Sequence, residues 1–187
     1  MHNVKIFTYL SQIAIIASMS VCTVILPHVA LTDGGVSNFG NNPSTVAIYS
    51  LGFGSCTLFL WLTGNSLMNL SPKLKIFSYT LFIIGELYLL ILLSTFPRQY
   101  SFAYSRAHDY LGIALFFIEF IFSVWILLQL RNYSVLINFV ITVSGMFIGL
   151  ISIIKIVDLL FVGQSVGSIG FALLMCINFP EALQSYL

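Results

Sequence analysis

Two glutamates lie inside long apolar runs of this chain, and their carboxyl groups are the groups best placed to do chemistry. Glu86 and Glu119 are each about ten residues from the ends of their runs. If the runs cross a membrane, a charge at that depth costs about 2.5–3.5 kcal/mol on insertion scales. Each carboxyl must therefore face the protein interior, contact a donor or hold a proton. The pair predicts a proton or cation pathway, a neutral carboxyl bonded to a Tyr, Ser or carbonyl group, or a contact between subunits.

A second set of polar residues lies at the ends of the apolar runs, where the topology predicts the outer rim. Its members are His28, Asp33, Arg98, Arg106, His108, Asp109, Lys155 and Asp158. Imidazole and carboxylate groups together bind metals, but no motif such as His-Glu-x-x-His accompanies them. We therefore expect no metal, no cofactor and no catalytic residue. The set is interpreted as a structural polar cluster or as a contact site for a lipid headgroup or small polar ligand.

Short connections crowd two of these segments onto one face of the protein. About ten residues separate Pro97 from Arg106, and Pro27 ends the first run on the same side. We therefore expect His108 and Asp109 to lie close to the loop that carries Asp33.

The composition determines the class of protein. Hydrophobic residues make up 59% of the 187 positions, charged residues make up 7%, and the mean hydropathy is +1.02. A soluble domain has roughly a quarter charged residues, so this chain cannot cover a surface that faces water. About 20 apolar residues cross a bilayer as a helix. The runs predict an all-α bundle of six transmembrane helices in one membrane domain, 1–187. The predicted spans are about 6–26, 43–67, 72–96, 107–130, 134–160 and 162–179.

Cationic residues predict the orientation, because Lys and Arg concentrate in short cytoplasmic loops. With the N-terminus inside, the inner side holds Lys5, Lys73, Lys75 and Arg131, and fewer cations lie outside. We therefore expect both termini in the cytoplasm. The first apolar run is longer than the apolar part of a signal peptide, so we expect it to be a permanent span.

Small residues recur at helical spacing in several spans. Helices in lipid associate by close packing, and glycine lets two backbones approach. We expect the helix-packing positions to be Gly54, Gly145, Gly149, Gly163 and Gly167.

Short motifs at the outer ends of the spans resemble a known family. Residues 33–37 (Asp-Gly-Gly-Val-Ser) follow the first span, Phe96-Pro97 follows the third, and His108 opens the fourth. This pattern resembles the six-span prokaryotic membrane family grouped as domain of unknown function 998, and more distantly the damage-regulated autophagy modulator/Sfk group. The family usually reads Asp-Leu-Gly where this chain reads Asp-Gly-Gly. The resemblance implies a six-helix fold in a prokaryotic plasma membrane, with Asp33, Pro97 and His108 as family-like positions. It implies no established activity.

Three functions remain open at this point. The low charge and the small-residue stripes favour a non-enzymatic accessory or scaffold subunit. Its partners would be membrane lipid and other membrane-protein subunits, or further copies in a homo-oligomer. One alternative is a small proton- or cation-coupled transporter that uses Glu86 and Glu119, for which an aqueous cavity reaching both carboxyls would be the sign. A second is a lipid-modifying membrane enzyme with a His/Asp site at the outer rim. The net charge of +1 predicts no nucleic-acid partner.

Overall fold

The architecture is a helical bundle. A computed structural model describes residues 1–31, 35–97, 100–154 and 158–186, and over these ranges the chain contains no strand. Six helical segments in the described residues are long and apolar enough to cross a membrane. The predicted fold class, an all-α bundle with six spans, is confirmed, and the chain is an integral membrane protein.

The described part of the chain forms eight α-helices joined by short 3₁₀ and π-helical segments. The α-helices are α1 (His2–Ile25), α2 (Pro27–Leu31), α3 (Val46–Met68), α4 (Lys75–Thr95), α5 (Phe102–Leu130), α6 (Tyr133–Ile153), α7 (Leu160–Leu173) and α8 (Phe179–Ala182). The 3₁₀ segments are Val36–Asn41, Pro72–Leu74 and Leu183–Tyr186, and the π-helical segment is Leu174–Asn178. The last span, Leu160–Ala182, consists of α7, the π-helical segment and α8.

Local sequence signals explain several helix ends. α1 ends just ahead of Pro27, whose ring cannot continue a helix. Before α4, the Ser71 hydroxyl accepts a hydrogen bond from the Lys73 N–H at 3.3 Å. Before α6, Oδ1 of Asn132 accepts one from the Val135 N–H at 2.9 Å. Both side chains satisfy backbone donors that have no partner inside their helix.

Three predicted spans need their boundaries corrected. α5 begins at Phe102 rather than near 107, α6 ends at Ile153 rather than near 160, and the last span is Leu160–Ala182 rather than 162–179. Hydropathy marks the part of a helix that lies in hydrocarbon, whereas the helix itself extends into the interfacial region. At the end of α6 the apolar composition continues past the helix, so composition could not locate the boundary.

The six spans form a closed ring. Each span packs on its neighbours in sequence, and the last span returns to α1. Tyr186 packs against Phe77 at the start of α4, with ring centroids 5.2 Å apart, and Val4 lies beside Asn69. Both termini therefore lie at one end of the bundle, called the terminal end here. The opposite end carries residues 27–31 and 35–42 and is called the cap end.

Glycines form the contact between α6 and α7. A Cβ at Gly145 would overlap the backbone of Gly167, and a Cβ at Gly163 would overlap the backbone of Gly149. A Cβ at Gly170 would overlap Thr142 in the same way. The helices approach so closely because Gly145, Gly163 and Gly170 carry no side chain. A Cβ at Gly149 or Gly167 would meet neighbouring atoms only at 3.4 Å or more, so the close approach does not depend on glycine at these two predicted positions.

Gly54 does not have the packing role that the sequence predicted. A Cβ at this position would meet no atom within 4 Å, so no neighbouring helix requires a glycine there. The close contact between α1 and α3 is made at Gly52 instead, where a Cβ would overlap the Ser18 side chain. The two glycines are two residues apart and therefore face different directions on the helix.

The cap end is covered by residues 35–42, which are called the cap. Phe39 in this segment is fully buried, and its ring meets the Phe161 ring edge-on at 5.9 Å. The Thr45 hydroxyl, at the start of α3, donates to the Phe39 carbonyl at 2.7 Å. Gly35 has φ 59°, a left-handed conformation that glycine adopts without strain. The folded cap is thus held against two different spans.

Candidate functional site

Glu119 lies near the middle of α5 and points into the bundle. Its side chain is 4% exposed, and its Oε1 accepts a hydrogen bond from the Tyr88 hydroxyl of α4 at 2.9 Å. One turn along α5, the Ser123 hydroxyl donates to the Glu119 carbonyl at 2.7 Å. A Tyr hydroxyl was among the partners expected for a carboxyl at this depth. The neighbouring helix therefore fixes the position of the carboxyl.

His108 lies near the cap end of the same helix and is held from two sides. The distance from Nε2 to the Ser37 hydroxyl of the cap is 2.7 Å, and from Nδ1 to the Ser94 hydroxyl of α4 it is 2.9 Å. The Ser94 hydroxyl also donates to the Ile91 carbonyl at 3.0 Å. Because a hydroxyl has one proton, Nδ1 donates to Ser94, and a neutral ring then accepts the Ser37 proton at Nε2. The ring joins the cap to α4 and α5.

One face of α5 positions both groups. His108, Gly112, Leu115 and Glu119 are separated by four, three and four residues, which places them along one stripe of a helix. Eleven residues at about 1.5 Å each separate His108 from Glu119 by about 16 Å along the axis. The stripe therefore runs from the cap to the middle of the bundle.

Gln164 of α7 holds the other side of the cap. Its Oε1 accepts a hydrogen bond from the Val36 N–H at 2.7 Å. The same oxygen lies 3.0 Å from the position where a Cβ of Gly35 would stand, so a larger residue would disturb this contact. Gln164 of α7 and His108 of α5 thus hold the cap at two points, each on a different span.

A cavity of about 100 Å³ lies beneath the cap and extends along the α5 stripe to Glu119. Every span contributes to its walls, with Ile15, Phe53, Ile91, Gly112, Ile153 and Ser168 as one residue from each. Asp109 is exposed and also lines the cavity, so the cavity reaches the surface beside this residue. The volume is enough for several water molecules but lies below the roughly 300–1,000 Å³ of small-molecule pockets.

Aromatic side chains close the bundle between Glu119 and the terminal end. The Phe122 ring lies 5.2 Å from the Phe179 ring and 5.6 Å from the Trp125 ring. Trp125 in turn lies 4.1 Å from Phe77. Phe122 and Phe179 are 3% and 0% exposed, so this aromatic layer separates the cavity from the terminal end.

Glu86 lies outside the cavity. Its side chain is exposed on the outer surface of α4, whereas Tyr88, two residues further on, is buried and bonded to Glu119. Two residues correspond to about 200° of helix rotation, so the two side chains face opposite directions. The cavity expected to reach both carboxyls reaches Glu119 and not Glu86.

The structure brings together part of the predicted outer-rim set. His108 contacts Ser37 in the loop that was expected to lie beside it, and Asp109 shares the cavity. His28 and Asp158 are exposed at the cap end and do not line the cavity. Arg106 is exposed and lies 4.4 Å over the Phe102 ring, a cation–π contact.

Three members of the set, Asp33, Arg98 and Lys155, lie outside the described residues. The predicted proximity of Asp33 to His108 therefore stays a prediction. Among the residues that the structure describes, no group of three or more His, Cys, Asp or Glu side chains is arranged to hold a metal ion.

Three residues of the site were not singled out from the sequence: Tyr88, Ser94 and Gln164. Each is a neutral polar residue in an apolar run, a type that commonly serves packing alone. Spacing was a usable signal for Tyr88, which shares one face of α4 with Ile91 and Thr95, but not for Ser94. Gln164 and Ser168 are likewise four residues apart in α7, one turn of a helix. Their pairing with α5 depended on the order of the spans around the ring, which no single span encodes.

The fold and the site together define a six-span integral membrane protein with a small cavity that has both apolar and polar walls and ends at a buried carboxyl. Comparison with protein-family models, curated proteins and solved structures finds no match for this chain. The resemblance carried by Pro97, His108 and the motif at 33–37 therefore stays a prediction.

Proposed function

We propose that this protein is a small proton- or cation-coupled transporter in which Glu119 is the inner binding group. The observation that carries the proposal is the cavity that joins the exposed Asp109 to the buried Glu119. Ionisable groups inside a span are rare and commonly mark ion or proton pathways. Glu119 is such a group, and it lies in a cavity rather than in a packed core.

The charge and size of the cavity favour a small cation. Its acidic lining residues are Asp109 and Glu119, and no described lining residue is Lys or Arg. Walls of one sign in a low-dielectric medium concentrate ions of the opposite sign. A cavity of about 100 Å³ accepts a proton carried by water or a small hydrated cation.

Passage to the terminal end requires a change in the aromatic layer. The π-helical segment Leu174–Asn178 stands directly before Phe179, and π-helical turns occur frequently at functional sites. Asn178 accepts a hydrogen bond from Nδ2 of Asn138 at 2.9 Å, which ties this segment to α6. We place the rearrangement that opens the layer at this segment, because Pro180 has no N–H to continue the regular helix.

The orientation predicted from the cationic loops places the mouth of the cavity outside the cell. Lys5, Lys73, Lys75 and Arg131 lie at the terminal end, which the positive-inside rule assigns to the cytoplasm. We propose a prokaryotic plasma membrane as the location, in line with the family resemblance.

The test is ion flux into vesicles that contain the purified protein and a pH- or cation-sensitive dye. With an imposed gradient, the wild-type protein should give flux above that of empty vesicles, and Glu119→Gln should remove it. Glu86→Gln is the matched control, because it makes the same change in another span but outside the cavity. Wild-type flux no greater than that of empty vesicles, or equal loss in both variants, would overturn the proposal.

Filling the cavity provides a second test that leaves both carboxyls in place. Gly112 lines the cavity, and a Cβ there would meet no atom within 4 Å, so Gly112→Leu should occupy the space between His108 and Glu119. Gly54→Leu is the control, because that position is equally open but lies outside the cavity. Flux should fall in Gly112→Leu and persist in Gly54→Leu; persistence in both would count against passage along this cavity.

The accessory or scaffold function expected from the sequence is the second candidate. One observation favours it: Glu86 is exposed on the outer surface within a span, where a neighbouring membrane protein would cover it. Purification in mild detergent is the test. A partner chain present at fixed stoichiometry supports this candidate, and purification of the chain without one contradicts it.

A further inference from the structure

Glu86 lies at the centre of an outward-facing surface. α4 runs from Lys75 to Thr95, so Glu86 is within one residue of its midpoint. The side chain is exposed, which leaves it facing lipid in a single copy of the protein. A polar group in hydrocarbon is costly unless it has a hydrogen-bond partner.

The residues around Glu86 form a regular stripe. The exposed positions are separated by three, four, three, four and three residues, which is the spacing of a seam between two helices. These positions are Ile76, Tyr79, Ile83, Glu86, Leu90 and Leu93. The exposed fractions of the five neighbours range from 38% to 66%. This set is called the α4 stripe.

The chemistry of a carboxyl selects the partner. A protonated carboxyl has one O–H donor and an acceptor oxygen, so two such groups can bond to each other. Copies inserted in the same direction hold Glu86 at the same depth, as an interface with two-fold symmetry requires. The five Lys and Arg residues that the structure describes lie toward the ends of the spans or between them, so none of them offers a cation at that depth in another copy.

We propose that two copies of this chain pair through their α4 stripes, with the two Glu86 carboxyls hydrogen-bonded to each other. The seam has the spacing of a left-handed pair of nearly parallel helices, which is common among membrane helices. The interface lies on the face of α4 opposite Tyr88. The proposed pairing is therefore independent of the proposed transport, and either proposal can fail while the other holds.

The test measures association in vesicles. Protein labelled with a fluorophore at its N-terminus is diluted into lipid, and the fraction of dimers is counted by single-molecule photobleaching. Glu86→Leu should lower the association constant about 3- to 30-fold, the range expected for one interhelical hydrogen bond in lipid. Glu86→Gln should associate like the wild type, because an amide also donates and accepts.

Photo-cross-linking locates the interface. A photoreactive amino acid at Leu93 in the α4 stripe should yield a cross-linked dimer, whereas the same amino acid at Leu58 of α3 should not. The two positions are 55% and 51% exposed, so they are matched in access. Monomers at every dilution, equal cross-linking from both positions, or undiminished association of Glu86→Leu would each overturn the proposal. If a different protein covers Glu86 instead, this chain should stay monomeric at every dilution, which is the first of these outcomes.

Discussion

Replacing Gly163 by Ala should separate α6 from α7 and destabilise the protein. A Cβ at this position would overlap the backbone N and Cα of Gly149 and would stand 2.9 Å from the carbonyl oxygen of Gly145. Because these are backbone atoms, no side-chain rotation relieves the overlap and the helix axes must move apart. Inserting carbon into a well-packed core typically costs about 1–3 kcal/mol.

Gly54→Ala is the matched control for this substitution. Its Cβ would meet no atom within 4 Å, so no packing cost is expected. In both variants a helical glycine becomes alanine, which favours a helix by about 0.8–1.0 kcal/mol. Comparing the two variants cancels that gain. Gly163→Ala should therefore have a free energy of unfolding about 1–3 kcal/mol lower than that of Gly54→Ala.

The measurement is reversible unfolding in mixed micelles, followed by helicity as the denaturing detergent is increased. A thermal scan provides a second reading, since 1 kcal/mol shifts Tm by about 2–4 °C in a chain of this size. Equal stability of the two variants, or greater stability of Gly163→Ala, would refute the close approach of α6 and α7.

Three further predictions concern the site and the topology. Tyr88→Phe should lower the free energy of unfolding by about 0.6–1.7 kcal/mol, and a double-mutant cycle with Glu119→Gln checks that the loss comes from their hydrogen bond. Gln164→Leu removes the acceptor of a backbone N–H in the cap, so hydrogen exchange of that amide should become faster than in the wild type. A cysteine at Asn38 should react with a membrane-impermeant reagent from outside, whereas one at Lys73 should be protected; the reverse pattern would contradict the proposed orientation.

Composition and helix signals were sufficient to predict the six spans. The hydrocarbon thickness sets the length of an apolar helix, and signals such as Ser71 and Pro27 mark where helices can begin or end. The start of α5 was missed because its first five residues, which include Ser105 and Arg106, are too polar for hydropathy to detect. Helix contacts were predictable where several glycines recur together, as between α6 and α7. The single position Gly54 was wrong because it faces an open side of the helix.

Glu86 and Glu119 show why hydropathy gives the depth of a residue in a span but not the direction it faces. Both residues lie at similar depth, and the sequence interpretation gave both carboxyls the same candidate roles. Direction follows from the other residues on the same helix face. The Glu119 face also carries His108 and Gly112, which suit a cavity, whereas the Glu86 face carries large apolar side chains on both sides. A carboxyl whose face is otherwise bulky and apolar is directed toward lipid or another protein, and one that shares its face with small and polar residues is directed inward.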